Sequence, residues 1–150
     1  SMATKGSTAT KASAASAAIS VEGLENPRDV LDFARWCRSE ADRFEANLML
    51  AAVTWAEQHP PESIDTAATW SSPAGDTGLL LAGPGAPLVC EFSIAEFALA
   101  IGRSTDSGRA YLATAIELKY RLPRTWGRVL RGDLPAWRAR RIAEAFAEQR

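Results

Sequence analysis

From Val30 to Trp55 apolar residues recur as Val30, Ala34, Cys37, Ala41, Phe44, Leu48, Ala51 and Trp55, in steps of 4 and 3. That spacing is a heptad seam, and it predicts one long helix. Asn26-Pro27 supplies the start, with Asn26 as N-cap, Pro27 at the first helical position and Asp29 in the first turn. His59-Pro60-Pro61 supplies the end, because proline disfavours helix in the residue before it. The predicted helix runs over 27–58. Leu31, Phe33, Trp36, Leu50 and Val53 widen the stripe. Roughly 28 residues of such a helix span about 42 Å, more than a domain of this size needs internally. Two readings follow: a dimer interface, or a core helix covered by the helices after it. The breadth of the stripe argues for burial on more than one side.

After this helix the periodicity stops. Residues 59–91 read as a loop, with Pro73, Gly75, Gly78, Gly83, Pro84, Gly85 and Pro87 in close succession. Leu79-Leu80-Leu81 and Leu88-Val89 flank Gly83-Pro84-Gly85 and either form a small hairpin or tuck onto a helical core. The glycine run lacks the Lys-Ser/Thr of a phosphate loop.

Helical spacing returns in four short segments, about 93–101, 105–120, 123–131 and 135–149. Ser93 with Glu96 is a capping-box start, and Gly102 a C-terminal stop. Ala98, Gly102 and a second start at Ser104 or Thr105 outline a helix-turn-helix. Gly108 stands where a branched apolar residue usually locks the second helix onto the first. It either weakens the helix or permits a very close approach. Leu122-Pro123 opens the third segment, Gly132 closes it, and Pro135 opens the last. The expected fold class is all-α: a long N-terminal helix, an irregular Pro/Gly loop and a helix-turn-helix-like bundle of short helices. It occupies 26–150, behind a low-complexity Ala/Ser/Thr/Lys/Gly head over 1–25 that cannot offset its ordering entropy. Ser1-Met2 reads as a cleavage scar before an initiator methionine. The stop at Arg150, with no cap, reads as a fragment of a longer protein.

Charge changes this picture. Residues 1–102 hold 6 Lys/Arg against 13 Asp/Glu, a net −7, and residues 103–150 hold 11 against 5, a net +6. The asymmetry points to an anionic partner for the C-terminal third, or to pairing with the acidic long helix (Asp32, Glu40, Asp42, Glu45) of the same chain or a second copy. If the helix-turn-helix binds DNA, its second helix presents Arg103, Thr105, Ser107 and Arg109 to the major groove. Lys119, Arg121, Arg124, Arg128, Arg138 and Arg141 then supply phosphate contacts. Arg131 shares a face with Arg124 and Arg128, and Arg140 lies alongside Arg138 and Arg141.

Catalytic chemistry is poorly supplied. His59 is the single histidine, and at a helix end it reads as a cap or surface residue. Cys37 and Cys90 make no disulfide framework and read as small buried hydrophobes in a reducing cytoplasm. No transmembrane run or secretory signal is visible, and nothing calls for a cofactor or metal.

The residues Gly85-Ala86-Pro87, Glu91-Phe92, Ala95-Glu96-Phe97-Ala98, Ile101-Gly102, Leu118, Arg121-Leu122-Pro123, Gly132-Asp133-Leu134, Ala139-Arg140 and Ile142-Ala143-Glu144 carry a resemblance. Over about residues 28–150 the chain resembles domain-of-unknown-function family 222. This is the actinobacterial region often found N-terminal to an HNH endonuclease domain and known also from a mycobacterial repeat family. The resemblance implies an all-helical module coupled to a nuclease beyond Arg150. An HNH site needs paired histidines, so this chain does not contain it. The expected function is a non-catalytic DNA-binding module that positions such a nuclease. The alternative is a dimerisation or protein-interaction module acting through the heptad helix, and both hold together if the module binds DNA as a dimer.

Overall fold

The computed structural model describes residues 23–61 and 78–149. The head over 1–22, the stretch 62–77 and Arg150 lie outside the described residues, and with them most of the expected unfolded head and the middle of the expected loop. The fold is all-α: the described residues form five helices and one two-stranded sheet. The helices are α1 (Pro27–Gln58), α2 (Glu91–Ala100), α3 (Thr105–Arg121), α4 (Pro123–Leu130) and α5 (Ala136–Glu148). The chain forms two compact units, Ser1–Ala41 and Asp42–Arg150.

In the first unit, α1 begins as its sequence dictates. The Asp29 amide donates to Asn26 Oδ1 at 2.9 Å, and Asn26 Nδ2 donates to Asp29 Oδ2 at 2.8 Å, a reciprocal cap. Val30, Leu31, Ala34, Trp36, Cys37 and Ala41 are exposed, and Phe33 stacks on Trp36 with ring centroids 6.1 Å apart. Cys37 is therefore no buried hydrophobe, whereas Cys90 is buried as expected.

The second unit holds the core. The rest of α1 buries Met49, Ala52, Val53 and Ala56. This stripe lies beside the heptad seam rather than along it. Of the seam residues here, Leu48 and Trp55 pack partly against the core, Ala51 is exposed and Phe44 is 63% exposed. From the other helices come Ile94 and Phe97 of α2, Tyr111, Leu112, Ala115 and Leu118 of α3, Trp126 and Val129 of α4, and Ala136, Ala139 and Ala143 of α5. Each fully buried Leu, Ile or Met here stabilises the fold by about 1.5–3 kcal/mol.

Two ends of helices fold as their glycines require. After α2, Gly102 adopts φ 70°, the Arg103 amide donates to the Ala98 carbonyl at 2.9 Å, and the Gly102 amide donates to Leu99 at 3.1 Å. After α4, Gly132 at φ 81° gives the same pair, Asp133 to Arg128 and Gly132 to Val129. Both are Schellman ends, in which the left-handed residue turns the chain back to satisfy the last carbonyls.

Two local expectations are corrected. Ser93 does not cap α2, which starts two residues earlier at Glu91. Ser93 is buried, and its hydroxyl donates to the Cys90 carbonyl at 2.7 Å, whereas a capping serine must accept an amide proton. Nor is the Pro/Gly region wholly irregular. Leu79–Leu80 (β1) and Leu88–Val89 (β2) pair antiparallel, Leu79 with Val89 and Leu80 with Leu88. The inward positions pack on helices: Val89 joins Ala56, Ala82 and Ile116, and Leu79 and Leu81 lie against the main core. Hairpin and packed leucines are thus both present. The hairpin base is fixed where the Cys90 amide donates to the His59 carbonyl at 2.8 Å. On its other side Gly78 lies so close to Pro61 that a Cβ there would overlap the proline ring.

Candidate nucleic-acid interface

The helix-turn-helix outline is realised by α2, the turn Ile101–Ser104 and α3. Ser104 caps α3, its Oγ accepting the Ser107 amide at 3.2 Å. The two helices cross at Ala98 and Gly108, where any Cβ on Gly108 would stand 2.9 Å from Ala98 Cα. Gly108 is the close-approach residue of the two options its position allowed.

The side chains expected to read bases are only partly available. Thr105 is exposed at the start of α3, and Arg109 is half-buried, its buried Nε without a hydrogen-bond partner among the described residues. Arg103 turns inward: its Nη1 donates to Ser107 Oγ at 3.1 Å, and its guanidinium lies 4.9 Å from the centre of the Tyr111 ring. Arg140 covers the same ring at 5.2 Å. Tyr111 thus has two guanidiniums close to its ring, one from the turn and one from α5. Its buried hydroxyl has no partner among the described residues. Burial, assisted by the charge of Glu45, pushes that hydroxyl up to about 12.

Lys119 and Arg121 are also engaged internally. Lys119 Nζ and the Tyr120 hydroxyl both bond to Glu57 Oε1, the latter at 2.6 Å, joining α3 to the end of α1. Hydrogen bonds from Lys119 and Tyr120 hold the Glu57 carboxyl below its ordinary range, and the bond to Glu57 raises Tyr120 to about 12. Arg121 lies 3.7 Å from the Glu117 carboxylate and covers the Phe146 ring at 5.2 Å. Glu117, 2% exposed, accepts the Gly83 amide at 2.9 Å through its other oxygen and so fastens the hairpin turn to α3. Nothing in the sequence marked this glutamate: it falls between Ile116 and Leu118 and reads as one charge among many.

The remaining cations face outward. On α4 the core side is Trp126 and Val129, and Arg124 and Arg128 lie on the opposite, exposed side with Arg131, which pairs with Asp133. On α5 the core side is Ala136, Ala139 and Ala143, with Arg138 and Arg141 exposed opposite. Arg138 lies over the half-exposed Trp137 ring at 5.3 Å. Arg124, Arg128, Arg138 and Arg141 form no ion pair with a described residue.

His59 is a helix end. Its Nδ1 lies 2.7 Å from the Trp55 carbonyl, and its ring sits 3.9 Å from that of Trp55. Among the described residues no group of three or more His, Cys, Asp or Glu is placed to hold a metal ion, and no helix is long and apolar enough to cross a membrane. No family model, curated protein or solved structure matches this chain.

Proposed function

We propose that this chain is a non-catalytic DNA-binding module, with the outward arginines of α4 and α5 as its phosphate-contacting surface. One observation carries the reading: Arg124, Arg128, Arg138 and Arg141 are exposed, point away from the core on two successive helices, and lack acidic partners among the described residues. Glu57 and Glu117 engage Lys119 and Arg121, and Arg103 and Arg140 lie on the Tyr111 ring, so these four are the fully outward charges offered to an anionic polymer. Thr105 and Arg109, at the start of α3, supply the contacts nearest to base readout. The family resemblance extends the proposal: the module delivers an HNH-type nuclease domain to DNA.

The test is a fluorescence-anisotropy titration of a random 20-base-pair duplex at 50 and 200 mM KCl. Four neutralised phosphates give a slope near −3.6 in log K against log salt, so affinity falls about 150-fold over that range. Replacing the four arginines by alanine should abolish binding at 50 mM. A wild-type chain that binds nothing at 50 mM would falsify the reading.

A further inference from the structure

The described tryptophans of the second unit differ in what engages them. Trp126 is 7% exposed in the core, and Trp55 donates its indole proton to the Ser93 carbonyl at 3.0 Å. Trp137, the second residue of α5, does neither. It is 46% exposed, and its indole nitrogen forms no hydrogen bond with a described residue. Its surroundings are cationic. The core side of α5 is Ala136, Ala139 and Ala143, so Trp137 and Arg141, four residues apart, share the outward side. Arg141 lies about 6 Å further along the axis. The Arg138 guanidinium lies over the Trp137 ring, 5.3 Å from its centre. Neither arginine forms an ion pair with a described residue. The acids of the helix, Glu144 and Glu148, begin two turns beyond Trp137.

We infer that Trp137 is a stacking platform for an unpaired base, so that the partner of α5 is single-stranded DNA. A flat apolar ring flanked by unpaired guanidiniums binds a single strand in two ways at once: the ring takes a base, and the cations take the phosphates beside it. In a duplex each base is covered above and below by its neighbours and shows only its edges in the grooves. An outward indole then has no face to stack on. A single strand exposes those faces, and because every base has one, the contact tolerates any sequence. This inference rests on the reading of the outward arginines as phosphate contacts, and adds to it the state of the strand they bind.

The test separates base from phosphate. Three labelled probes are titrated at 50 mM KCl: a 20-nucleotide thymidine strand, a strand of equal length and charge with an abasic spacer at every position, and a random 20-base-pair duplex. The thymidine strand should bind at least about fivefold more tightly than the abasic one, the gain from one stacked base. Trp137→Ala should erase that difference, and Trp137→Phe should keep part of it, with helical circular dichroism unchanged in both. Equal wild-type affinity for the thymidine and abasic strands, with the duplex still bound, would overturn this inference and leave the phosphate reading standing. So would a thymidine preference that survives in Trp137→Ala. A wild-type chain that binds none of the three would sink both.

Discussion

Gly108 of α3 stands against Ala98 of α2 with no room between them for a methyl group: a Cβ at 108 would lie 2.9 Å from Ala98 Cα. The helix-turn-helix owes its tight crossing to this pair. Gly108→Ala gains about 1 kcal/mol of helix propensity but must push two backbones apart. Overpacking a tight core site costs about 1–3 kcal/mol, occasionally more. Because the neighbour here is backbone as well as side chain, the clash should win. Urea denaturation should show a net loss of about 1–2 kcal/mol, partly recovered in Ala98→Gly/Gly108→Ala.

Arg103 and Arg124 look equivalent in sequence but differ in structure. Arg103 is held by Ser107 and Tyr111, so Arg103→Ala should lower stability by about 0.5–2 kcal/mol. It should leave DNA affinity within about twofold. Arg124→Ala/Arg128→Ala should do the reverse, leaving the melting temperature unchanged and reducing the salt slope by about two. Melting and anisotropy on the same preparations separate the two behaviours.

Glu117 is the buried charge on which the hairpin depends. Glu117→Ala leaves the Gly83 amide without its acceptor and Arg121 without its carboxylate, a loss of about 3–5 kcal/mol. Glu117→Gln keeps an oxygen for Gly83 and should lose less. Hydrogen exchange at the Gly83 amide should accelerate far more in the alanine variant than in the glutamine one.

Glu57 sets a pH dependence. Its carboxyl is held below the ordinary 4.5, so the contact with Lys119 and Tyr120 contributes stability above that value. The contribution is lost as pH falls through the folded value. The stability difference between wild type and Glu57→Gln should therefore shrink below about pH 4.5. Tyr120, raised from 10.0 to about 12, works in the opposite sense: its contribution is full below 10 and lost as pH rises toward 12. An ultraviolet titration should show its phenolate appearing later than that of a free tyrosine.

Punctuation was the most legible part of the chain. Asn26-Pro27, Gly102, Ser104, Pro123 and Gly132 act through local backbone chemistry, and each stands within two residues of the helix end it implied. The core face of α1 was not legible. Met49, Ala52, Val53 and Ala56 form a second apolar stripe beside the heptad seam, and periodicity alone does not say which stripe meets the other helices. Ser93 misled because a serine donates as readily as it accepts. The candidate interface was legible as a set of cations but not as individual roles. What separates Arg103 from Arg124 is an aromatic ring eight residues further on, with Arg140 of another helix on it, and only packing brings those together.

The meeting of Pro61 and Gly78, with the Cys90–His59 hydrogen bond beside it, has an evolutionary and practical consequence. The described segments that end at Pro61 and begin at Gly78 meet at one spot, so position 78 acts as a clasp between the end of the first and the hairpin that opens the second. A side chain there would have to displace the Pro61 ring and adopt a left-handed φ of 71° at once, which makes Gly78 the residue of the hairpin least open to exchange.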